Sequence, residues 1–455
     1  MTDHSSDKFS TLSRRGFMKL GAVSIAAAAN TPMFFVKDAW AEQSIGNYPV
    51  RGKTVKFGFN YPQSGAYADE GADEGRAYKL AVQHINNGGG MLNTLQPLAL
   101  KGNGILGKKV EYVIGDTQSS PGPARTSARR MIEQDGIIMF SGGSSSSVAI
   151  AQQYLAQEKG VIFMCGLTHS NDTTGKDRRR YGFRHFFNAY MSGKALAPVL
   201  ARNYGNDRRA FHLTADYSWG HTQYASMKEF TEKEGWTTVN NIMTPLGSSD
   251  FSMFITAILN SDADVLVLNH YGKDMVNSLT QAVEFGLRDL QKNGKTIEVV
   301  VPLFSRVMAK GAGAANIDGV FGTTGWNWTL QDPGSQAFVN SFTKEYGFPP
   351  SQAAHTCYVQ TLLYANACEK AGTFYPPEVI KTLENSRYAG IGPGETFYRG
   401  EDHQCFKDML VMKGNGPDKM TGQYDLLKIV EQVKGEDTVY DHNTFSGELG
   451  PYIPA

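Results

Sequence analysis

The chain has 455 residues, with 44 basic and 44 acidic side chains and four cysteines. Charge neutrality leaves no field that would recruit nucleic acid or an anionic membrane surface, so small molecules and other proteins remain as partners. So few cysteines exclude a disulfide framework, and the length suits two domains of roughly 100–200 residues, each with an ample core.

At the N-terminus, Ser13-Arg14-Arg15-Gly16-Phe17-Met18-Lys19 sets a twin arginine ahead of an apolar stretch. That stretch, Leu20 to Ala29, is about ten residues long, where a bilayer span needs roughly 20. Residues 1–41 therefore read as a cleavable bacterial export signal of the twin-arginine kind, ending in the small-x-small pattern Ala39-Trp40-Ala41 and leaving Glu42 first in the mature chain. No cysteine lies near that point, so a lipid anchor is not expected. Removing the signal leaves 39 basic and 41 acidic side chains, and the destination is the periplasm.

From Thr54 onward, short β-rich apolar runs alternate with segments of helical period. The pattern predicts strands at Val55 to Asn60, Val110 to Gly115, Ile137 to Phe140, Val161 to Met164, Ala210 to Thr214 and Val265 to Leu268. Between them it predicts helices at about Asp73 to Asn86, Ala124 to Gln134, Val148 to Glu158, Gly193 to Tyr204, His221 to Glu234 and Met275 to Phe285. Strands at Val299 to Pro302 and Val320 to Thr323 follow, then helices at Gln336 to Tyr346 and Gln352 to Ala371. The Gly-Asn segments at Asn86 to Gly90 and Gly102 to Gly107 read as a surface excursion, and the tail after Lys413 as a surface wrap. Two βα series, one before about Asn188 and one from about Arg209, define an α/β chain of two doubly wound parallel-sheet lobes. Ligands of such sheets lie beyond the carboxyl ends of the strands, so facing lobes make a cleft lined by those loops.

Cys357 and Cys368 fall on one predicted helix, about 16 Å apart at 1.5 Å per residue, too far for a mutual bridge. Either could meet Cys405 after folding; Cys368 with Cys405 is the preferred pair, and four free thiols the alternative. With no Cys-x-x-Cys and no Cys/His grouping at ligand spacing, no metal or other cofactor is expected.

The stretches Asn60-Tyr61-Pro62-Gln63-Ser64-Gly65-Ala66-Tyr67-Ala68, Gly143 to Ser147, Asp216-Tyr217-Ser218-Trp219-Gly220 and Asp250-Phe251-Ser252, with Ala354-His355-Thr356-Cys357-Tyr358 opening a return helix, occur in a telling order. They resemble the periplasmic substrate-binding proteins of branched-chain amino-acid-type ABC transporters, the Leu/Ile/Val-binding-protein-like type I periplasmic binding fold. The similarity covers roughly Thr54 to Met412. It implies three hinge crossings, with residues 42–188 and 325–395 in the first lobe, 189–324 in the second, and 396–455 returning to the second lobe before the tail. It also implies a non-enzymatic monomer that closes about hinges near Asn188 and Gly325 and delivers its ligand to an ABC permease in the inner membrane.

Candidate ligand contacts follow from loop chemistry and from this resemblance together. Ser141 to Ser147 joins a predicted strand to a helix, so amide groups and hydroxyls face one point at a positive helix end, which suits a carboxylate; a Gly/Ser turn that merely caps the helix is the other reading. The resemblance selects Ser145 and Ser146. After the next strand it implies a backbone contact from Leu167 and a side-chain contact from Thr168 or His169, and before the first helix it places Tyr67 and Glu70 beside the ligand. In the second lobe it implies aromatic contacts from Tyr217, Trp219 and Tyr271; for Tyr217 and Trp219, packing against the other lobe is the other reading. Amino-acid binders commonly place an acid near the end of the following strand, yet here that loop reads Pro302-Leu303-Phe304-Ser305-Arg306. Either Glu70 or Asp216 substitutes, or the ligand has no ammonium group and is a small carboxylate, an aromatic acid or an amide, with Phe304 and Arg306 as contacts.

Two other functions use the same chain. A ligand sensor docking to a membrane receptor would share the cleft. An exported α/β hydrolase would need a triad such as Ser146, His169 and Asp172, though no Gly-x-Ser-x-Gly elbow or phosphate loop is present.

Overall fold

The computed structural model describes residues 44–453; the export signal expected over residues 1–41 lies outside them. The first half of the chain runs β1 (Thr54–Tyr61), α1 (Ala68–Asn87), β2 (Lys109–Asp116), α2 (Pro121–Arg130), β3 (Met139–Gly142), α3 (Ser146–Lys159), β4 (Ile162–Cys165) and β5 (Gly182–Arg184). These strands pair in the order β2-β1-β3-β4-β5, all parallel. A parallel sheet is covered by helices on both faces, so its strands read as near-continuous apolar runs. Phe57, Phe59, Phe140 and Phe163 are fully buried, and Phe59 stacks on Tyr78 of α1 at 4.3 Å.

The chain then crosses to a second sheet through α4 (Ala189–Tyr204), whose first turn is capped by Asn188 Oδ1 accepting from Met191 N at 2.9 Å. There follow β6 (Arg209–Ala215), α5 (Ser218–Lys233), β7 (Thr237–Thr244), α6 (Ser252–Leu259), β8 (Val265–Asn269), α7 (Gly272–Glu284) and the hairpin β9 (Gln291–Lys292) and β10 (Lys295–Thr296). Next come β11 (Glu298–Leu303), α8 (Arg306–Ala312), α9 (Ala314–Ile317) and β12 (Phe321–Thr324). A second crossing leads to α10 (Pro333–Tyr346), α11 (Gln352–Ala371) and α12 (Pro376–Leu383), with α11 packed along α1. β13 (Arg387–Tyr388), β14 (Thr396–Tyr398) and β15 (Cys405–Phe406) make a small antiparallel sheet, after which β16 (Met409–Gly414) and β17 (Leu427–Val433) rejoin the second sheet. Its order is β17-β16-β12-β11-β8-β6-β7, with only β16 and β17 antiparallel to their neighbours. Leu196, Leu200, Met227, Val265, Val267, Val300, Phe321 and Val411 form its core; each such side chain contributes about 1.5–3 kcal/mol on burial.

Several expectations change. α1 begins at Ala68, five residues before the predicted start, because its first turns carry Asp69, Glu70, Asp73 and Glu74, which hide the apolar period. β7 escaped notice because it is a half-exposed strand of polar composition. Residues 396–455, expected as the second part of the second lobe and a C-terminal tail, divide three ways. β14 and β15 belong to the small sheet and β16 and β17 to the second sheet. The end of the chain packs on the first lobe, where Arg178 Nη1 donates to His442 O (3.2 Å) and Tyr181 Oη to Ile453 O (3.1 Å). The preferred Cys368–Cys405 bridge is not formed: all four cysteines are free and buried, Cys405 lying against His185 Nδ1 at 3.7 Å while Cys368 stays inside α11 beside Tyr364. No helix among the described residues is long and apolar enough to cross a membrane, and no group of three or more His, Cys, Asp or Glu side chains there is placed to hold a metal ion.

Candidate functional site

The carboxyl ends of the parallel strands of the two sheets face each other. From the first lobe come Tyr67 before α1, Ser144 to Ser146 between β3 and α3, and the loop after β4 from Gly166 to Ser170. From the second come Tyr217 and Trp219 after β6, Tyr271 after β8, and Leu303 to Ser305 after β11. Gly142 makes the turn into α3 at φ 139°, and a Cβ there would meet Asn60 O at 1.8 Å, so only glycine brings the end of α3 to this place.

Ser144, Ser146, Leu167, His169, Tyr217, Trp219, Tyr271 and Leu303 enclose one cavity between the lobes, of about 10 Å³. That is room for about one water. Tyr67 stands behind the cavity: its hydroxyl donates to Tyr217 Oη across the cleft at 2.8 Å, and its ring lies 5.4 Å from that of Tyr271. Tyr217 and Trp219 (5.9 Å) and Trp219 and Tyr271 (6.3 Å) continue the aromatic wall. Further bonds cross from lobe to lobe, Lys273 N to Ala66 O (3.3 Å), Ser170 Oγ with Ser218 Oγ (2.8 Å) and Asn171 Nδ2 to Ser226 Oγ (3.1 Å). The lobes are closed on each other.

On the first-lobe side, α3 has its N-cap at Ser145, with no side-chain cap, and its first helical bond runs from Ala149 N to Ser145 O. The amides of Ser146, Ser147 and Val148 thus have no intrahelical partner, and they keep the helix end positive. The Ser146 hydroxyl is already employed: it accepts from Ser170 N (3.0 Å), His169 N (3.2 Å) and Thr168 Oγ1 (3.2 Å), pinning the loop after β4 to α3. Thr168 also meets Thr173 Oγ1 at 3.1 Å, so it faces inward and not into the cavity. Burial pushes the His169 pKa down to about 3, leaving a neutral ring. Its Nδ1–H donates to Phe187 O at 2.7 Å, so Nε2 must accept. The Gln223 side-chain amide faces it at 3.1 Å and donates an N–H to it. His169 therefore ties the first lobe to α5, with no ring nitrogen left for a ligand.

The acidic side is larger than the sequence suggested. Glu70 accepts from Ser305 Oγ of the second lobe, and Glu74, one helical turn on, accepts from Ser144 Oγ. Both are fully buried, which pushes the Glu70 pKa up to about 7 against the pull of Ser305, and the Glu74 pKa up to about 8. Arg306 Nη2 is 3.1 Å from Asp73 Oδ2 and joins the same cluster across the cleft. Ser305 also caps α8, accepting from Met308 N at 3.0 Å. Trp219 Nε1 and Glu74 Oε2 are buried without a hydrogen-bond partner, while the Tyr271 hydroxyl stands against the Glu70 carboxyl and, with Ser305, pulls its pKa back down.

Other singled-out residues lie elsewhere. Phe304 and Arg306 line a separate small cavity with Trp326 and Gln352, because side chains alternate at a strand end and Leu303 takes the cleft side. Asp216 is exposed and bonded to His221 at 2.8 Å, so it does not stand in for the missing strand-end acid. His270 is neutral and buried, bonded to Thr244 and Ser278 at 2.9 Å each. A triad is not assembled, since the His169 ring meets Phe187 and Gln223 instead of Ser146, and Asp172 accepts from Ser218 (3.0 Å). A wider groove of about 580 Å³ opens by the small sheet, but its cations Arg387 and Lys434 are already paired with Glu395 and Asp408. Sequence reasoning missed Glu74, Ser144, Gln223, Leu303 and Ser305. The recurrence of acids at Glu70 and Glu74 would have revealed the first had the helix been started at Ala68.

Two parallel α/β sheets joined by three crossings, with facing strand ends and a cavity between them, define a two-lobed solute-binding protein. Residues 54–419 match the family model for periplasmic binding proteins, and the chain belongs to that family, whose members bind substrates and are not enzymes. It is similar to Leu/Ile/Val-binding protein homolog 8 of Brucella abortus, at 25% identity over 346 residues, covering 72% of this chain and 80% of the relative. Its fold is similar to that of an amino acid ABC transporter substrate-binding protein from Pseudomonas fluorescens, with a TM-score of 0.75 and 23% identity, covering 88% of this chain and 100% of that one. It is also similar to a solute-binding protein of an ABC transporter from Rhodopseudomonas palustris in complex with 3,4-dihydroxy benzoic acid, with a TM-score of 0.71 and 21% identity, covering 84% and 98%.

Proposed function

We propose that the protein is the solute receptor of an ABC importer, taking an amino acid or a related small carboxylate or amide into the interlobe cleft. The closed form is then read by an inner-membrane permease. The observation that carries this reading is an interlobe cavity walled by Tyr217, Trp219 and Tyr271, with the Trp219 indole N–H unanswered and the first amides of α3 without intrahelical partners. Buried polar groups are rarely left unpaired, and a solute placed here answers them. The ligands named for relatives, amino acids and a dihydroxybenzoate, fall in the same chemical range.

A cavity of about 10 Å³ holds none of these, so loading requires the lobes to part and the Tyr67–Tyr217 bond to break or shift. Reclosure is driven only by contacts that the closed form has and the open form lacks. Export by the twin-arginine route and work as a periplasmic monomer complete the proposal. Mass spectrometry of small molecules retained on purification, followed by calorimetry over amino acids and aromatic acids, tests it. One class binding at about micromolar Kd is expected; no binding across the whole panel would overturn the reading.

A further inference from the structure

The family match ends at residue 419, and the chain beyond it does more than complete the second sheet. After β17 the backbone turns over the hinge region as α13 (Gly435–Thr438), which packs on α4 of the second lobe. Its first amide donates to Asp408 Oδ1 at 2.9 Å, beside the third crossing, and Val439 O accepts from Lys194 Nζ of α4 at 3.0 Å. Tyr440 follows, and it is buried. Its hydroxyl accepts from Asn188 Nδ2 at 2.7 Å, at the first crossing, and its ring lies 5.3 Å from Tyr190 of α4 and 5.5 Å from Phe406 of β15.

From His442 onward the chain is fastened to the first lobe. His442 O accepts from Arg178 Nη1 at 3.2 Å and Gly447 O from Arg178 Nη2. Leu449 O accepts from Arg180 N (2.5 Å), Gly450 O from Arg180 Nε (3.2 Å) and Pro451 O from Gln157 Nε2 (3.0 Å). Tyr181 Oη then donates to Ile453 O (3.1 Å) and accepts from Ile453 N (2.9 Å). Between these anchors Phe445 wedges into the lobe boundary: its ring is 5.8 Å from Tyr190, and a Cβ on Gly175 of the first lobe would meet Phe445 Cβ at 2.8 Å.

Length decides what such a tail can do. Only Tyr440 and Asp441 separate the last bond to α4 from the first bond to Arg178. Val439 (φ −58°, ψ 143°) and Asp441 (φ −62°, ψ 134°) are in extended, polyproline-like backbone. That conformation advances about 3.1 Å per residue, where a fully drawn chain reaches about 3.3–3.6 Å. The link has almost no slack.

We propose that Tyr440-Asp441 is a fourth crossing between the lobes, drawn taut in the closed form, and that with the Phe445 wedge it restrains opening and holds the empty protein near its closed shape. A loose tail would follow the second lobe through any rotation. A taut one, fastened on both sides, permits only the rotation that its own few dihedrals absorb. Because it runs beside Asn188, it stiffens the first crossing as well.

The test is small-angle X-ray scattering of the unliganded mature protein, unmodified, with Gly-Ser-Gly-Ser inserted between Tyr440 and Asp441, and with the chain ended at Tyr440. The insertion keeps every anchor and removes only the tautness; the shortened chain removes the wedge and the first-lobe anchors too. Both are expected to have a larger radius of gyration than the unmodified protein, with folding checked by thermal melting. Hydrogen exchange of the unmodified, unliganded protein tests the same point without any variant. Arg180 N and Ile453 N, which hold the tail to the first lobe, are expected to exchange roughly tenfold or more slowly, relative to their unprotected rates, than Lys273 N, whose bond to Ala66 O spans the cleft. Unchanged scattering in a folded variant, or tail amides exchanging as fast as Lys273 N, overturns the inference. The receptor reading rests on solute binding and is judged apart from either result.

Discussion

Glu70 and Glu74 show how a residue's meaning depends on where its helix begins. Taken as a first-turn acid, Glu70 is ordinary; with α1 extended back to Ala68, it becomes one of two stacked, buried carboxyls whose pKa values rise to about 7 and about 8. In the unfolded chain both ionise near 4.5. Between that pH and about 8 the folded state holds protons that the unfolded state has released, so this pair lowers stability progressively as pH rises and leaves it untouched at lower pH. For the unliganded protein, Glu70→Gln is therefore expected to raise the melting midpoint at pH 8 by roughly 2 °C or more and to change it little at pH 4, read by scanning calorimetry. A second check concerns the thiols: alkylation after unfolding, without reductant, is expected to label all four cysteines. Tyr217 and Trp219 stand out in the sequence as apolar residues at a strand end and Tyr271 only through the resemblance, and the structure brings the three rings together. Ser144 does not stand out, since nothing in a run of four serines says which hydroxyl turns toward α1.

At the level of elements, the turn from β3 into α3 carries the first-lobe half of the cleft. Gly142→Ala would set a Cβ 1.8 Å from Asn60 O at a positive φ, and a loss of about 3 kcal/mol or more is expected in urea unfolding. Ser146→Ala removes the acceptor of two backbone amides, His169 N and Ser170 N, and is expected to cost about 1–3 kcal/mol while loosening the loop after β4. The central strands and α11 could be read from their apolar periods, α11 to the residue. Elements whose period is masked by polar composition could not, among them β7 at a sheet edge and the short strands β13 to β15, which are held by their neighbours more than by their own sequence. The one-residue difference between Phe304 and Leu303 has the same root: at a strand end the inward face is set by the ladder, and composition does not reveal its phase.

For the whole molecule, the structure is a closed clasp whose lobes meet through paired hydroxyls and buried acids, with space for about one water between them. Tyr67→Phe removes one interlobe hydrogen bond and is expected to shift the open–closed balance of the unliganded protein toward open by about 0.5–1.5 kcal/mol, seen as a larger radius of gyration without solute. The final loop of the chain, folded back onto Arg178 and Tyr181, ties the first lobe to the strand β17 that belongs to the second, so opening bends a molecule fastened beyond its three crossings. The most direct measurement of the central claim is small-angle X-ray scattering of the mature protein with and without a solute that binds it. A smaller radius of gyration with solute, approaching that of the closed structure, is the expected result; a bound solute that leaves the scattering curve unchanged would contradict a cleft that closes on its ligand.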